Sequence, residues 1–157
     1  MYKVEKITVI NANGIVQISN ILYDCGKDMA SKYDLHHWDN SKFKWLIIII
    51  LCLLKNQVFL VKTDTNIPIA TFQIKQVDKV LRFEKLCTSP KFLAKGIGTY
   101  CMNFIEQYAR DVECKSVNME VYEPSHHAID FYQKRGYKIF GKTKTLKYSE
   151  IKMIKEL

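Results

Sequence analysis

At 157 residues, 48% hydrophobic and 25% charged, the chain has the composition of a folded globular domain, which excludes a disordered polar tail. Its formal net charge of +8 suits a polyanionic small molecule or a nucleic acid. The lysines are scattered rather than gathered into a basic block interleaved with stacking aromatics, and this argues against a nucleic-acid groove.

The elements read in order as one domain over residues 1–157. Tyr2 to Ile10 alternates as a first strand. Asn11-Ala12-Asn13-Gly14 turns and caps a helix from Ile15 to Ser31, whose apolar residues recur at helical spacing. Tyr33 to Asn40 is a polar and aromatic loop, and Ser41 is placed to cap the next element. Lys42 to Lys55 carries four consecutive isoleucines, which favour a strand on propensity, but its length favours a helix buried on most sides. The run Trp45 to Leu54 is too short to span a bilayer, which takes about 20 residues, and lies too far into the chain to be a leader peptide. Val58 to Val61, Pro68 to Gln76 and Val80 to Thr88 follow as an antiparallel meander. A helix from Ile97 ends near Arg110 to Cys114. Val117, Met119 and Val121 then alternate as a strand parallel to the one ending at Thr88. A short helix holding Ala128, Ile129, Phe131 and Tyr132 stops at Gly136, and a final hairpin runs through Tyr137–Phe140 and Leu146–Ile154. The sum is an α/β fold with a mixed sheet.

The five cysteines, Cys25, Cys52, Cys87, Cys101 and Cys114, lie inside apolar patterns and form no C-x-x-C pair. The expectation is reduced, buried thiols in a cytoplasmic protein, with neither a disulfide nor a metal site.

The stretch from Ser89 to Thr99 carries the chemistry. A glycine-bearing turn, Ala94-Lys95-Gly96-Ile97-Gly98-Thr99, runs straight into a helix N-terminus. Free backbone N–H groups and the helix dipole make such a turn an anion site, and glycine lets a phosphate come close. Lys95 precedes Gly96 instead of following a second glycine, so this is no P-loop; a third glycine is missing, so it is no dinucleotide fingerprint.

Pro90 to Thr99 resembles the acyl-CoA signature of the GNAT superfamily of N-acetyltransferases, [QR]-x-x-G-x-[GA]. Val121 to Tyr137 is similar to that family's second motif: a strand, a short loop, then Ala-x-x-Phe-Tyr-x-x-x-Gly-[Phe/Tyr]. Leu93 stands where the family has Arg or Gln, Ala94 where glycine is frequent, and Ser125 where many members have Asn. The resemblance implies a mostly antiparallel sheet of about seven strands flanked by about four helices, with two parallel strands splayed at the cofactor. It implies acetyl-CoA as donor, no metal, and direct attack by an amine in a ternary complex. Leu86, Cys87 and Thr88 would bond the pantetheine arm, Ala94 to Thr99 would cradle the pyrophosphate, and Ser125 and Tyr132 would line the cofactor. Tyr132 would protonate the leaving sulfur and Glu84 would act as base, on the same strand face as Leu86. His36, His37 and Trp38 would shape the acceptor pocket, and the acceptor is a small-molecule or peptide amine. The rival reading is a silent CoA-binding sensor or interaction module. No membrane partner is expected, and an edge strand or helix face leaves room for a homodimer.

Overall fold

The structure, a computed structural model, describes residues 1–157. Its elements are β1 (Tyr2–Ile7), α1 (Ala12–Tyr33), α2 (Lys42–Leu53), β2 (Gln57–Thr63), β3 (Pro68–Val77), β4 (Val80–Thr88), a 3-10 turn (Pro90–Phe92), α3 (Ile97–Asp111), β5 (Ser116–Tyr122), α4 (His126–Lys134), β6 (Lys138–Lys144) and β7 (Ser149–Glu156). One seven-stranded sheet has the order β1-β2-β3-β4-β5-β7-β6. All its pairs are antiparallel except β4–β5. The expected sheet, its helix complement and its one parallel pair are therefore present.

Alternation along β2 shows how the layers form. Phe59 and Val61 enter one core with Phe72, Leu81, Ile97 and Met102, under α3 and α4. Val58 and Leu60 enter the other with Ile18, Leu22, Trp45 and Ile49, under α1 and α2. Side chains two apart on a strand share a face, so one strand feeds both cores. Glu106 is buried in α3 and balanced by Arg135 at 3.2 Å and Lys155 at 2.9 Å, which ties α3 to the end of α4 and to β7.

Three expectations are corrected. The segment after Lys42 is a helix, and the Ser41 hydroxyl caps it by accepting the Lys44 N–H at 3.2 Å, but it is not buried on most sides. Only Trp45 and Ile49 are buried, because α2 packs on α1 and β2 along one face and leaves Phe43, Ile47, Ile50, Leu51 and Leu54 exposed. The cysteines are not all free. Cys25 and Cys87 are joined as a disulfide, with Cα atoms 6.8 Å apart, while Cys52, Cys101 and Cys114 remain thiols. The partners are 62 residues apart in sequence and meet only because α1 packs over the end of β4, which spacing cannot reveal. The first strand stops at Ile7, and Val9 and Ile10 lie exposed in the turn before α1. No helix is long and apolar enough to cross a membrane.

Candidate active site

The site is a gap in the sheet. β4 and β5 pair over only three positions, Val80↔Ser116, Leu81↔Val117 and Arg82↔Asn118. Beyond them the strands diverge, which leaves backbone groups of Phe83 to Thr88 without a β5 partner. A bulge lies in the same stretch. Thr71 pairs with Cys87 and Gln73 with Glu84, so Lys85 and Leu86 together face Phe72. Lys85 takes up the extra residue at φ +49°, a left-handed conformation that costs a non-glycine residue energy and tends to occur at functional positions. The bulge also changes the side-chain alternation. Leu86 packs toward the α3–α4 core and Cys87 toward the α1–α2 core. Glu84 therefore does not share a face with Leu86, contrary to the simple count of two.

At the carboxyl end of β4 lies the glycine turn. Ala94 and Gly96 both take left-handed φ values, +60° and +72°, and turn the chain into α3. Ala94 pays steric strain where glycine would not. Gly96 is the N-cap of α3, and no side chain caps the helix. A Cβ on Gly96 would meet nothing within 4 Å, so the space before the helix end is open. Uncapped N–H groups, open space and a helix dipole together fit an acyl-CoA pyrophosphate. Leu93 is 45% exposed and adds no polar group to the turn.

Two cavities follow the gap. The smaller, about 190 Å³, runs beside Leu86, Cys87 and Thr88 toward Pro90 and Leu93. The larger, about 550 Å³, occupies the opening between β4 and β5. Met29, Trp38, Leu86 and His127 line both, so they form one groove that runs from Pro90 and Leu93 into the sheet; Ala94 to Thr99 line neither cavity and follow on directly from its Leu93 end. Ser125 is buried in the wall of the larger cavity, and its hydroxyl makes no capping bond to α4 although it occupies the N-cap position.

Tyr132 lies in the same wall, packed against Phe83 with ring centroids 5.7 Å apart. Burial, and next the nearby Cys101, raise its pKa, so the phenol keeps its proton at neutral pH. Glu84 also lines the cavity. Its carboxylate accepts the Arg82 Nε–H at 2.9 Å, and Arg82 donates from Nη2 to Glu120 at 2.8 Å. Cys101 is inert for nucleophilic work, because burial pushes its thiol up to about 12.

The loop after α1 divides its aromatic residues. His37 and Trp38 line the large cavity, and His37 stacks on Tyr122 at 4.0 Å. Desolvation lowers the His37 pKa to about 4, so its imidazole is neutral at pH 7. His36 lines neither cavity; it sits on the surface, bonded to Asp34 at 2.8 Å, which raises its pKa. Gly26 explains how the loop docks. A Cβ there would collide with the Trp38 carbonyl oxygen, so glycine lets the loop backbone lie on α1.

Several lining residues were not anticipated from the sequence. Arg82, Glu120 and Tyr122 are the alternate positions of strands read for their apolar faces, and that alternation was the available signal. Glu150, Tyr148 and Trp45 come from distant segments and have no local signature.

The chain matches the model of the Acetyltransferase (GNAT) family over residues 15–137. No curated protein matches it in sequence. Among solved structures it is similar to the PaiA N-acetyltransferase from Thermoplasma acidophilum in complex with coenzyme A, at 17% identity, covering 100% of this chain and 99% of that one with a TM-score of 0.77. It is also similar to the ribosomal-protein-S18-alanine N-acetyltransferase from Escherichia coli, at 12% identity, covering 99% and 94% with a TM-score of 0.74. A third is the IAA acetyltransferase from Bacillus cereus, at 14% identity, covering 100% of each chain with a TM-score of 0.72. At such identities the structures speak for the fold. The family match spans most of the chain and holds both the glycine turn and the Ala128–Tyr137 stretch, and on that ground this chain belongs to the GNAT acetyltransferase family.

Proposed function

We propose that this chain transfers an acetyl group from acetyl-CoA to an amine bound in the larger cavity, in a ternary complex. The observation that carries the reading is the continuity of the groove. A stretch of β4 without a β5 partner and a cavity holding a phenol and a carboxylate lie along it, and it ends at Pro90 and Leu93, just before the turn into the uncapped α3 N-terminus.

The backbone N–H groups of Ala94 to Thr99 hold the pyrophosphate, aided by the α3 dipole. Leu86, Cys87 and Thr88 pair with the pantetheine arm at the stretch of β4 that β5 leaves. The Ser125 hydroxyl faces the same arm. When bound, acetyl-CoA supplies a thioester carbonyl open to attack. The amine must lose its proton to become a nucleophile, and Glu84 receives that proton at its carboxylate. Arg82 fixes the Glu84 side chain through its Nε–H. Tyr132 holds a proton at its hydroxyl and donates a hydrogen bond to the charge that develops on the departing sulfur. His37 and Trp38 form the acceptor-side wall.

The ion pairing of Glu84 with Arg82 is also what a silent CoA-binding module would show. Turnover separates the two. CoA thiol release with an amine panel is expected from the wild-type protein. Tyr132→Phe and Glu84→Gln are each expected to lower kcat by about 100-fold while acetyl-CoA affinity stays within about twofold. Tight acetyl-CoA binding with no thiol release from any amine would establish the module instead.

A further inference from the structure

The chain carries a formal net charge of +8, yet the cavity reverses that sign locally. Glu84, Glu120 and Glu150 line it from β4, β5 and β7, against only Arg82 and Lys85. Arg82 is shared between Glu84 and Glu120, and Lys85 lies 3.7 Å from Glu84. Glu120 also accepts the Thr143 hydroxyl at 3.1 Å. Glu150 makes no ion pair at all. It stands directly across the ladder from Tyr122, whose ring meets that of Tyr148 edge-on at 5.8 Å. Two neighbouring carboxylates beside aromatic rings, with Arg82 as the one guanidinium near them, suit a further cation.

Two groups in the wall independently call for a bound molecule. Trp45 is 2% exposed, and its indole N–H has no partner. His37 Nδ1 is likewise buried without a partner, and a neutral imidazole offers one nitrogen as an acceptor for an N–H donor. Both are walls of the same cavity as the carboxylates.

We propose that the acceptor is an aliphatic diamine, with one nitrogen acetylated beside Glu84 and the other retained as an ammonium at Glu150 and Glu120 against Tyr122 and Tyr148. The inference rests on the acetyl-transfer reading for its reaction but not for its binding site. β4 and β7 lie on either side of β5, and Glu84 and Glu150 face the same cavity from those two strands, so a flexible chain with a nitrogen at each end suits the space between them. Burial, and then the Glu120 charge, raise the Glu150 pKa; an ammonium at this place offsets the Glu120 charge. In the balanced step the neutral amine nitrogen bonds to the thioester carbon, the carbon–sulfur bond breaks, and the sulfur takes the Tyr132 hydroxyl proton to leave as the CoA thiol. The proton that the nitrogen sheds passes to Glu84 and returns through solvent to Tyr132, and the distal ammonium is unchanged.

The test uses three probes of matched length with acetyl-CoA: hexamethylenediamine, n-hexylamine and ε-aminocaproate. The diamine is expected to exceed hexylamine by about tenfold or more in kcat/KM, and aminocaproate to be poorest. Glu150→Gln is expected to lower kcat/KM for the diamine about fivefold more than for hexylamine, through KM, with thermal melting checked to show that it folds. Equal rates for diamine and hexylamine, a preference for aminocaproate, or an equal loss on both amines in Glu150→Gln would overturn the proposal. Calorimetric titration of the CoA-loaded protein keeps the two readings apart. Diamine binding tighter than hexylamine without turnover would retain the diamine site and overturn acetyl transfer, whereas no diamine binding at millimolar concentration would overturn the diamine site itself.

Discussion

The two ends of the groove are built from different materials. The donor end, from Leu86 to Thr99, presents backbone: an N-terminus without a side-chain cap, two left-handed residues and a stretch of β4 that β5 leaves unpaired. The acceptor end presents side chains drawn from α1, α2, the loop between them, β4, β5 and β7. Backbone sites depend on local conformation, which a short stretch of sequence specifies. Side-chain sites depend on which distant segments the fold brings together. This is why Leu93 can stand at the turn without a polar replacement, while the acceptor end has no comparable redundancy.

Paired substitutions break the comparison most sharply. Gly96→Val forces a β-branched residue to φ +72° at the helix N-terminus. It is expected to weaken acetyl-CoA binding by about tenfold or more, about 1.4 kcal/mol, while acceptor KM changes little. Gly26→Ala pushes the Trp38 carbonyl off α1 and is expected to raise acceptor KM by about tenfold, leaving acetyl-CoA affinity within about twofold. Calorimetry for the donor and steady-state kinetics for the acceptor check both. If either variant damaged both ends equally, the division would fail.

The largest stability effect belongs to the link between the halves. The Cys25–Cys87 disulfide joins α1 to β4 and closes a long loop, so reduction is expected to cost about 2–4 kcal/mol of stability. Melting scans with and without reductant, alongside non-reducing mass spectrometry, measure it. A bond seen by mass with no change in melting would show that the helix and strand hold each other without it. A smaller effect is expected of Leu93→Arg. A guanidinium at the turn adds a charge-assisted contact to phosphate and should tighten acetyl-CoA about threefold. No change would show that this side chain lies off the phosphate path.

A further effect concerns pH. His37 has its folded pKa lowered from 6.5 to about 4, so the unfolded chain binds its proton first as pH falls. The stability it contributes is full above about 6.5 and is lost as pH falls through the window down to about 4. His36, with its pKa raised by Asp34, acts in the opposite direction but is fully exposed. The net expectation is a stability lower at pH 5 than at pH 7.5 by on the order of 1 kcal/mol, given the partial exposure of His37, and it is read as a lower melting temperature. His37→Gln should flatten that slope; an unchanged slope would assign it to other groups.

Much of the fold was legible because its signals are local. Val80–Thr88 kept its boundaries, the Ser41 cap formed, and helix 97–111 followed its apolar spacing. The exposed face of α2 was not legible, since a run of isoleucines looks the same whether packed on one side or on all. The bulge at Lys85 was equally hidden, and it is what turned Glu84 away from the face of Leu86. Tyr132, Glu84, His37 and Trp38 are gathered in one cavity, whereas His36, the neighbour of His37, lies on the surface and bonds Asp34. Glu120 and Glu150 escaped notice because their meeting depends on β7 returning beside β5.

The most direct measurement is a crystal structure of the protein with acetyl-CoA. The account predicts pyrophosphate oxygens on the N–H groups of Ala94 to Thr99 and the thioester in the gap beyond Arg82↔Asn118, beside Tyr132. A pyrophosphate bound away from the α3 N-terminus, or a thioester outside that gap, would contradict it.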